Sequence, residues 1–145
     1  MKWIDLPPIW LAACAACVWF APKVTPYLPA QSLIGAVLVA VGLVLMCLAV
    51  FEMRRHRTTV IPHMHASSLV TSGIFAVSRN PIYLGDAFVL GGLILRWHAH
   101  PILFLLIPIF MWIIAYRFIR AEEDRLKEGF GDAFVAYCDT TRRWM

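Results

Sequence analysis

Residues 69–85 read LVTSGIFAVSRNPIYLG and place a group of polar side chains between two apolar parts of the chain. A second polar patch, residues 120–125 with the sequence RAEEDR, follows the last apolar stretch. Charged and polar groups at the edge of an apolar helix bundle usually face a cavity or a partner. We therefore interpret the two patches as parts of one site that closes over a small polar ligand.

The composition is that of an integral membrane protein. The chain has 145 residues, of which 61% are hydrophobic and 15% are charged, and its mean hydropathy is +0.71. Soluble domains are about half apolar and about one quarter charged. The sequence predicts one membrane domain over residues 1–145, with any chemistry built from helix ends and loops. No continuous basic face of the kind that binds nucleic acid is evident, so no nucleic-acid partner is expected.

The hydropathy pattern predicts an all-α bundle of four transmembrane helices, at about residues 3–21, 33–53, 82–97 and 101–119. In the second of these, Gly35 and Gly42 would allow close approach of another helix. The third is slightly short, and Pro81 favours a helix start at that point. Residues 122–138 carry apolar side chains at three- and four-residue steps, which predicts a C-terminal amphipathic helix.

The distribution of arginine and lysine predicts the orientation. Arginines are concentrated in the connection 54–79 and after residue 119, whereas the opposite connections carry only Lys23 and Arg96. The positive-inside rule then places both polar patches and both termini on the cytoplasmic side. We expect a multi-pass protein of the inner (cytoplasmic) membrane, and four spans satisfy this arrangement.

Residue types alone leave the second patch open. Glu122 and Glu123 beside Arg120 can form an ordinary solvated helix start, or they can bind an ammonium group or ribose hydroxyls. No metal site is predicted, because His63 and His65 lack further ligands at a useful spacing.

Four segments together resemble the isoprenylcysteine carboxyl methyltransferases and phospholipid methyltransferases, a group of membrane enzymes. That group carries motifs of the form LVTxGxY…RHPxYxG and, one helix later, EE…FGxxYxxY. The corresponding segments here are LVTSGIF (69–75), RNPIYLG (79–85), EE (122–123) and FGDAFVAY (130–137). The resemblance covers roughly residues 58–144. Asn80 stands where many members have histidine, and Phe75 replaces a common tyrosine, so two polar contacts of the group are missing.

The resemblance implies a membrane methyltransferase without a Rossmann domain, which uses S-adenosyl-L-methionine bound between residues 69–85 and 120–138. The residues that it assigns to the cofactor site are Leu69, Val70, Gly73, Phe75, Arg79, Asn80, Pro81, Tyr83 and Glu122. The single G-x-G of the chain, residues 129–131, lacks the preceding strand that a dinucleotide-binding motif requires.

Methyl transfer from a sulfonium is an in-line displacement, so alignment of donor and acceptor does most of the work. The expected acceptor is hydrophobic or lipid-like, with a carboxylate, an amine or a thiol as the nucleophile. A carboxylate would be placed by Arg117 or Arg120. An ammonium group needs a base, for which Glu123 and Asp86 are the candidates.

Two other functions compete with this hypothesis. A non-catalytic four-helix membrane protein, such as a small transporter or an assembly partner, would lack a nucleotide-sized polar pocket and would tolerate Glu122→Gln. A membrane sterol or quinone reductase would require a nicotinamide cofactor and more helices. The sequence does not predict an oligomeric state.

Overall fold

The computed structural model describes residues 6–24, 26, 28–58 and 67–145. The α-helices are α1 (Pro7–Phe20), α2 (Pro29–Arg55), α3 (Pro81–Arg96), α4 (Leu106–Ile114), α5 (Arg120–Phe130) and α6 (Asp132–Thr140). Short 3₁₀ turns cover Gly73–Ala76 and Pro101–Leu105, and a π-helical turn, Ala115–Ile119, joins α4 to α5. The described residues contain no strand, only an isolated bridge between Lys23 and Ala99. The predicted all-helical fold is confirmed for this part of the chain.

Two continuous helical runs, Pro29–Arg55 and Pro101–Phe130, are long and apolar enough to cross a membrane. α1 has 14 residues and α3 has 16. At 1.5 Å per residue these helices are about 21 and 24 Å long, shorter than the roughly 30 Å of the hydrocarbon layer. The bundle of four transmembrane helices is therefore not confirmed, and the spans at 3–21 and 82–97 remain predictions. Residues 3–5 lie outside the described part of the chain.

Proline and glycine set several helix boundaries. Pro7, Pro29 and Pro81 each lie in the first turn of a helix, where a missing N–H costs little. The predicted helix start at Pro81 is confirmed. The helix does not end at residue 119, because the π-helical turn carries it on into α5. It ends before Gly131, whose φ of +50° favours glycine.

The backbones of α2 and α3 touch directly at paired glycines. A Cβ atom on Gly42 would lie 2.5 Å from the carbonyl oxygen of Gly85, and one on Gly92 would lie 2.6 Å from that of Gly35. The helices run antiparallel, so this contact places the start of α3 beside the C-terminal half of α2, near Met46. The polar loop between them is thereby fixed at one end of the bundle.

An apolar core fills the space between α1, α3 and the long helix formed by α4, the π-helical turn and α5. Its fully buried members include Leu90, Ile94, Phe110, Ile114 and Phe118. The outer face of α2 instead exposes large apolar side chains, among them Leu33, Val37, Val44 and Phe51. A hollow of about 310 Å³ lies on this face, and all of its described lining residues belong to α2, from Met46 to Arg54. A membrane protein presents such a surface to lipid, so this hollow is not part of the polar site.

Replacement of Gly42 by alanine should destabilise the bundle. The added methyl group would overlap the Gly85 carbonyl, and such overpacking typically costs about 1–3 kcal/mol. Thermal unfolding in detergent, followed by circular dichroism, measures the effect as a lower Tm.

The matched control is Gly129→Ala in α5, because no atom of the described residues lies within 4 Å of a Cβ at Gly129. Alanine has the higher helix propensity, so the Tm of this variant should stay the same or rise. Equal Tm losses in both variants would show that the α2–α3 contact is not close.

Candidate active site

The motif loop, residues 69–80, is fastened to the end of α2 by Glu52. The Ser72 hydroxyl donates a hydrogen bond of 2.5 Å to a Glu52 carboxylate oxygen, and His56 Nε2 lies 2.9 Å from the Ser72 oxygen. Gly73 has φ +58°, and a Cβ there would lie 3.0 Å from the Glu52 carboxyl carbon. The glycine of the motif therefore packs on a buried carboxylate. Sequence analysis missed the role of Glu52, although a lone acid at the end of an apolar span is a usable signal.

The other side of the motif loop is held by the C-terminal arm, residues 132–144. The Arg79 backbone N–H donates to the Arg142 carbonyl at 3.1 Å. The Arg143 carbonyl accepts hydrogen bonds from the Asn80 side-chain amide at 3.0 Å and from the Ser78 hydroxyl at 3.3 Å. Asn80 therefore has a definite structural partner, even though it departs from the histidine of the resembling group.

Tyr137 makes a further link between the arm and the loop. Its hydroxyl donates to the Phe75 carbonyl oxygen at 2.6 Å. Burial raises the pKa of Tyr137 to about 12, so the hydroxyl remains a protonated donor at neutral pH.

Glu123 is held by two arginines. Arg79 Nη2 lies 3.2 Å from one of its carboxylate oxygens, and Arg143 Nε and Nη2 donate to both oxygens, at 3.1 and 2.5 Å. The hydrogen bond to Glu123 raises the pKa of Arg143. Both carboxylate oxygens of Glu123 accept hydrogen bonds from arginines, so this residue joins the arm to the motif loop. The same contacts make it a poor proton acceptor, and therefore a poor base.

Tyr83 and Glu122 connect the two polar patches directly. The buried Tyr83 hydroxyl donates to a Glu122 carboxylate oxygen at 2.8 Å, which ties the first turn of α3 to the first turn of α5. The charges of Asp86 and Arg125 also act on Tyr83. The structure thus brings together residues that are 39 positions apart in the sequence.

A cavity of about 90 Å³ lies between the end of α2, the motif loop, α5 and the arm. Its lining residues are Met53, Thr58, Ser68, Leu69, Val70, Phe75, Arg79, Leu126 and Tyr137. Four of them are predicted cofactor residues: Leu69, Val70, Phe75 and Arg79. Ligand pockets usually measure about 300–1,000 Å³, so a nucleoside-sized ligand requires the walls to move apart.

Two polar atoms in the lining of this cavity, Thr58 Oγ1 and Arg79 Nε, are buried and have no hydrogen-bond partner among the described residues. Buried polar groups nearly always have hydrogen-bond partners, and an exception calls for an explanation. Both atoms are donors, so they fit a ligand that presents oxygen acceptors. Sequence analysis did not single out Thr58, because a threonine in a loop carries no distinctive signal.

Arg117 and Arg120 lie on the outside of the bundle. The Arg117 guanidinium is 5.5 Å from the centre of the Trp10 ring, and that of Arg120 is 5.1 Å from the Tyr116 ring. Both side chains are exposed. Arg117 belongs to the π-helical turn, a feature frequent at functional sites.

His63 and His65 lie outside the described residues. Within the described part of the chain, no group of three or more potential metal-binding side chains occurs.

Comparison with protein families gives one match. A family model described as phospholipid methyltransferase matches residues 30–133, more than two thirds of the chain. The matched range contains α2, the motif loop, α3 and the long helix through α5, whereas most of the C-terminal arm lies beyond it. Comparisons with characterised proteins and with solved structures gave no match.

Glu123→Gln should loosen the arm, because a neutral amide cannot neutralise two arginines. We expect faster amide hydrogen exchange at Arg79, whose N–H is bonded to the Arg142 carbonyl, by about fivefold for a loss of about 1 kcal/mol. Mass spectrometry of the detergent-solubilised protein measures this exchange. Asp124→Asn changes an exposed neighbouring carboxylate and serves as the control. Identical exchange in both variants would refute this role for Glu123.

Proposed function

This chain belongs to the phospholipid methyltransferase family, and we propose that it transfers a methyl group from S-adenosyl-L-methionine to a lipid-like acceptor. Family membership makes it a membrane methyltransferase. The observation that best supports the choice of cofactor is a pair of buried donors, Thr58 Oγ1 and Arg79 Nε, which have no partner in the described part of the chain and line a cavity between the two motifs. The carboxylate and ribose oxygens of the cofactor are acceptors of the kind that these donors need.

The proposed cofactor residues provide apolar contacts, a positive charge and an acidic group. Leu69, Val70 and Phe75 provide apolar walls for a flat ring, and Arg79 provides a cation for a carboxylate. Glu122, positioned by Tyr83, is the acidic group that we assign to the ammonium or the ribose hydroxyls of the cofactor.

The remaining motif residues shape the loop around the ligand. Gly73 allows the loop to pack on Glu52, while Asn80 and Pro81 set the junction between the loop and α3.

When bound, S-adenosyl-L-methionine supplies a methyl group activated on a sulfonium. The protein has to hold the acceptor in line with that group and exclude water, and positioning of this kind lowers barriers by several kcal/mol. The apolar outer surface of the bundle is compatible with an acceptor that enters from the bilayer. Arg117 and Arg120, exposed on this surface, are the residues that we propose to hold an anionic group of the acceptor.

Access to the site requires a movement. The cavity is small, and the motif loop is bonded on one side to Glu52 and on the other to the C-terminal arm. The arm is joined mainly through backbone carbonyls and the Glu123 ion pairs. We propose that it swings away to admit the cofactor and closes over it afterwards, on the cytoplasmic side of the membrane.

Calorimetric titration of the purified protein with S-adenosyl-L-methionine and S-adenosyl-L-homocysteine tests the proposal. We expect saturable binding that is weakened about five- to tenfold in Thr58→Val and in Glu122→Gln, because each change removes about 1 kcal/mol of hydrogen bonding. Thr71→Val, in an exposed part of the same loop, is the control and should bind normally.

The absence of binding in a folded, monodisperse sample would contradict the proposal and favour a non-catalytic membrane protein. Normal binding by Thr58→Val and Glu122→Gln would place the cofactor elsewhere.

A further inference from the structure

Glu52 is the one acidic residue of α2, and it lies next to the proposed cofactor cavity. It belongs to the last turn of the helix, where only 6% of its surface is exposed, and its neighbour in the chain, Met53, lines the cavity. A buried carboxylate lowers the stability of a protein unless it has partners, and an ionisable residue in an apolar helix usually marks a functional site. The partners of Glu52 therefore indicate what this end of α2 does.

The carboxylate of Glu52 binds the turn of the motif loop at Ser72 and Gly73. One of its oxygens accepts a hydrogen bond of 2.5 Å from the Ser72 hydroxyl and lies 3.5 Å from His56 Nε2. A Cβ atom on Gly73 would lie 3.1 Å from the other oxygen, so the backbone of the loop rests against the carboxylate. Both oxygens of Glu52 thus face the motif loop.

The segment just before this turn is attached to the same end of α2. The Ser68 hydroxyl donates a hydrogen bond of 2.8 Å to the His56 carbonyl oxygen. The last carbonyl groups of a helix have no partner within the helix, so a hydroxyl from outside can bind them. Leu69 and Val70, two predicted cofactor residues that line the cavity, lie between this attachment and Ser72.

We propose that Glu52 is a positioning residue for the cofactor, which fixes the wall formed by Leu69 and Val70 against α2 and thereby sets the affinity for S-adenosyl-L-methionine. This inference rests on the proposed function, because the cavity has to be the cofactor site. Glu52 is not among the described lining residues of the cavity, so it acts through the loop. Because the loop is held at α2, this wall stays formed when the C-terminal arm swings away.

A purely structural role for Glu52 would give a different pattern of effects. Replacement of a buried charged group by an apolar side chain of similar size is often neutral or stabilising, because the cost of removing the charge from water disappears. Glu52→Leu should therefore keep or raise the Tm while it releases Ser72 from α2. A positioning role then predicts a loss of cofactor affinity without a loss of stability, whereas a structural role predicts that both fall together.

Calorimetric titration of the detergent-purified protein with S-adenosyl-L-homocysteine tests the positioning role. Glu52→Leu removes the acceptor of the Ser72 hydroxyl and should bind about five- to tenfold more weakly than the parent, as expected for one lost hydrogen bond. Glu52→Gln keeps a side-chain carbonyl oxygen that can accept this hydrogen bond, so its affinity should stay within about twofold of the parent.

Ser72→Ala removes the other partner of the same hydrogen bond. It should weaken binding by a similar factor, and the double variant with Glu52→Leu should bind no more weakly than the weaker single variant, because both changes break one contact. Ser72→Thr keeps the hydroxyl, and Thr71→Val alters an exposed neighbour, so both should bind as the parent does. If Glu52→Leu does not fold, Ser72→Ala and Ser72→Thr make the same comparison.

The possible failures can be told apart. Equal affinity of the parent, Glu52→Leu and Ser72→Ala would overturn the positioning role, and so would additive losses in the double variant. A lower Tm of Glu52→Leu, with the same loss of affinity in Glu52→Gln, would leave Glu52 a structural role only. If the folded parent itself does not bind S-adenosyl-L-homocysteine, the proposed function is contradicted, and this inference with it.

Discussion

The direct contact between the backbones of α2 and α3 is the constraint on which the rest of the site depends. Glycines at matching positions let the two antiparallel helices approach until carbonyl oxygens meet the opposite chain. Bulkier residues there would push the helices apart. Because α3 starts beside the C-terminal half of α2, the connection between them must return to the same end of the bundle. The motif loop consequently lies across the end of α2, where Glu52 holds Ser72 and Gly73.

Because the long helix is continuous, the second polar patch, residues 120–125, lies beside the first, residues 69–85. A π-helical turn joins α4 to α5 without a break, so the first turn of α5 stays aligned with the bundle. Glu122 then meets Tyr83, and Glu123 meets Arg79. A flexible loop at residue 120 would have left both acids in water, where exposed ion pairs contribute little. The rigid connection makes the pairing of the patches a property of the fold.

Much of this arrangement could be predicted from the pattern of side chains. The hydrogen bonds made by backbone carbonyls could not. The apolar runs and the helix start at Pro81 follow from residue types alone. Residue types left the role of the second patch open, and the resemblance to the methyltransferases was needed to predict a cofactor site formed by both patches. The link from Asn80 to the Arg143 carbonyl does not, because any residue at 143 has the same carbonyl. The roles of Thr58 and Glu52 are evident only from the residues that pack around them in the structure. The predicted spans at 3–21 and 82–97 are not confirmed, because α1 and α3 are shorter than the hydrocarbon layer. Hydropathy does not fix the residue at which a helix begins or ends.

The acidic residues of this small protein can have two separate roles. Some hold the site closed, and others act on a substrate. Groups that hold the site closed must have partners in the closed state, as Glu52 has in Ser72 and Glu123 has in Arg143, since an unpaired charge would favour opening. A carboxylate that acts on a substrate must stay unpaired until the substrate binds, and this lowers the stability of the protein. Asp86 differs from both of these acids, because it is buried in the bundle and makes no hydrogen bond with any described residue.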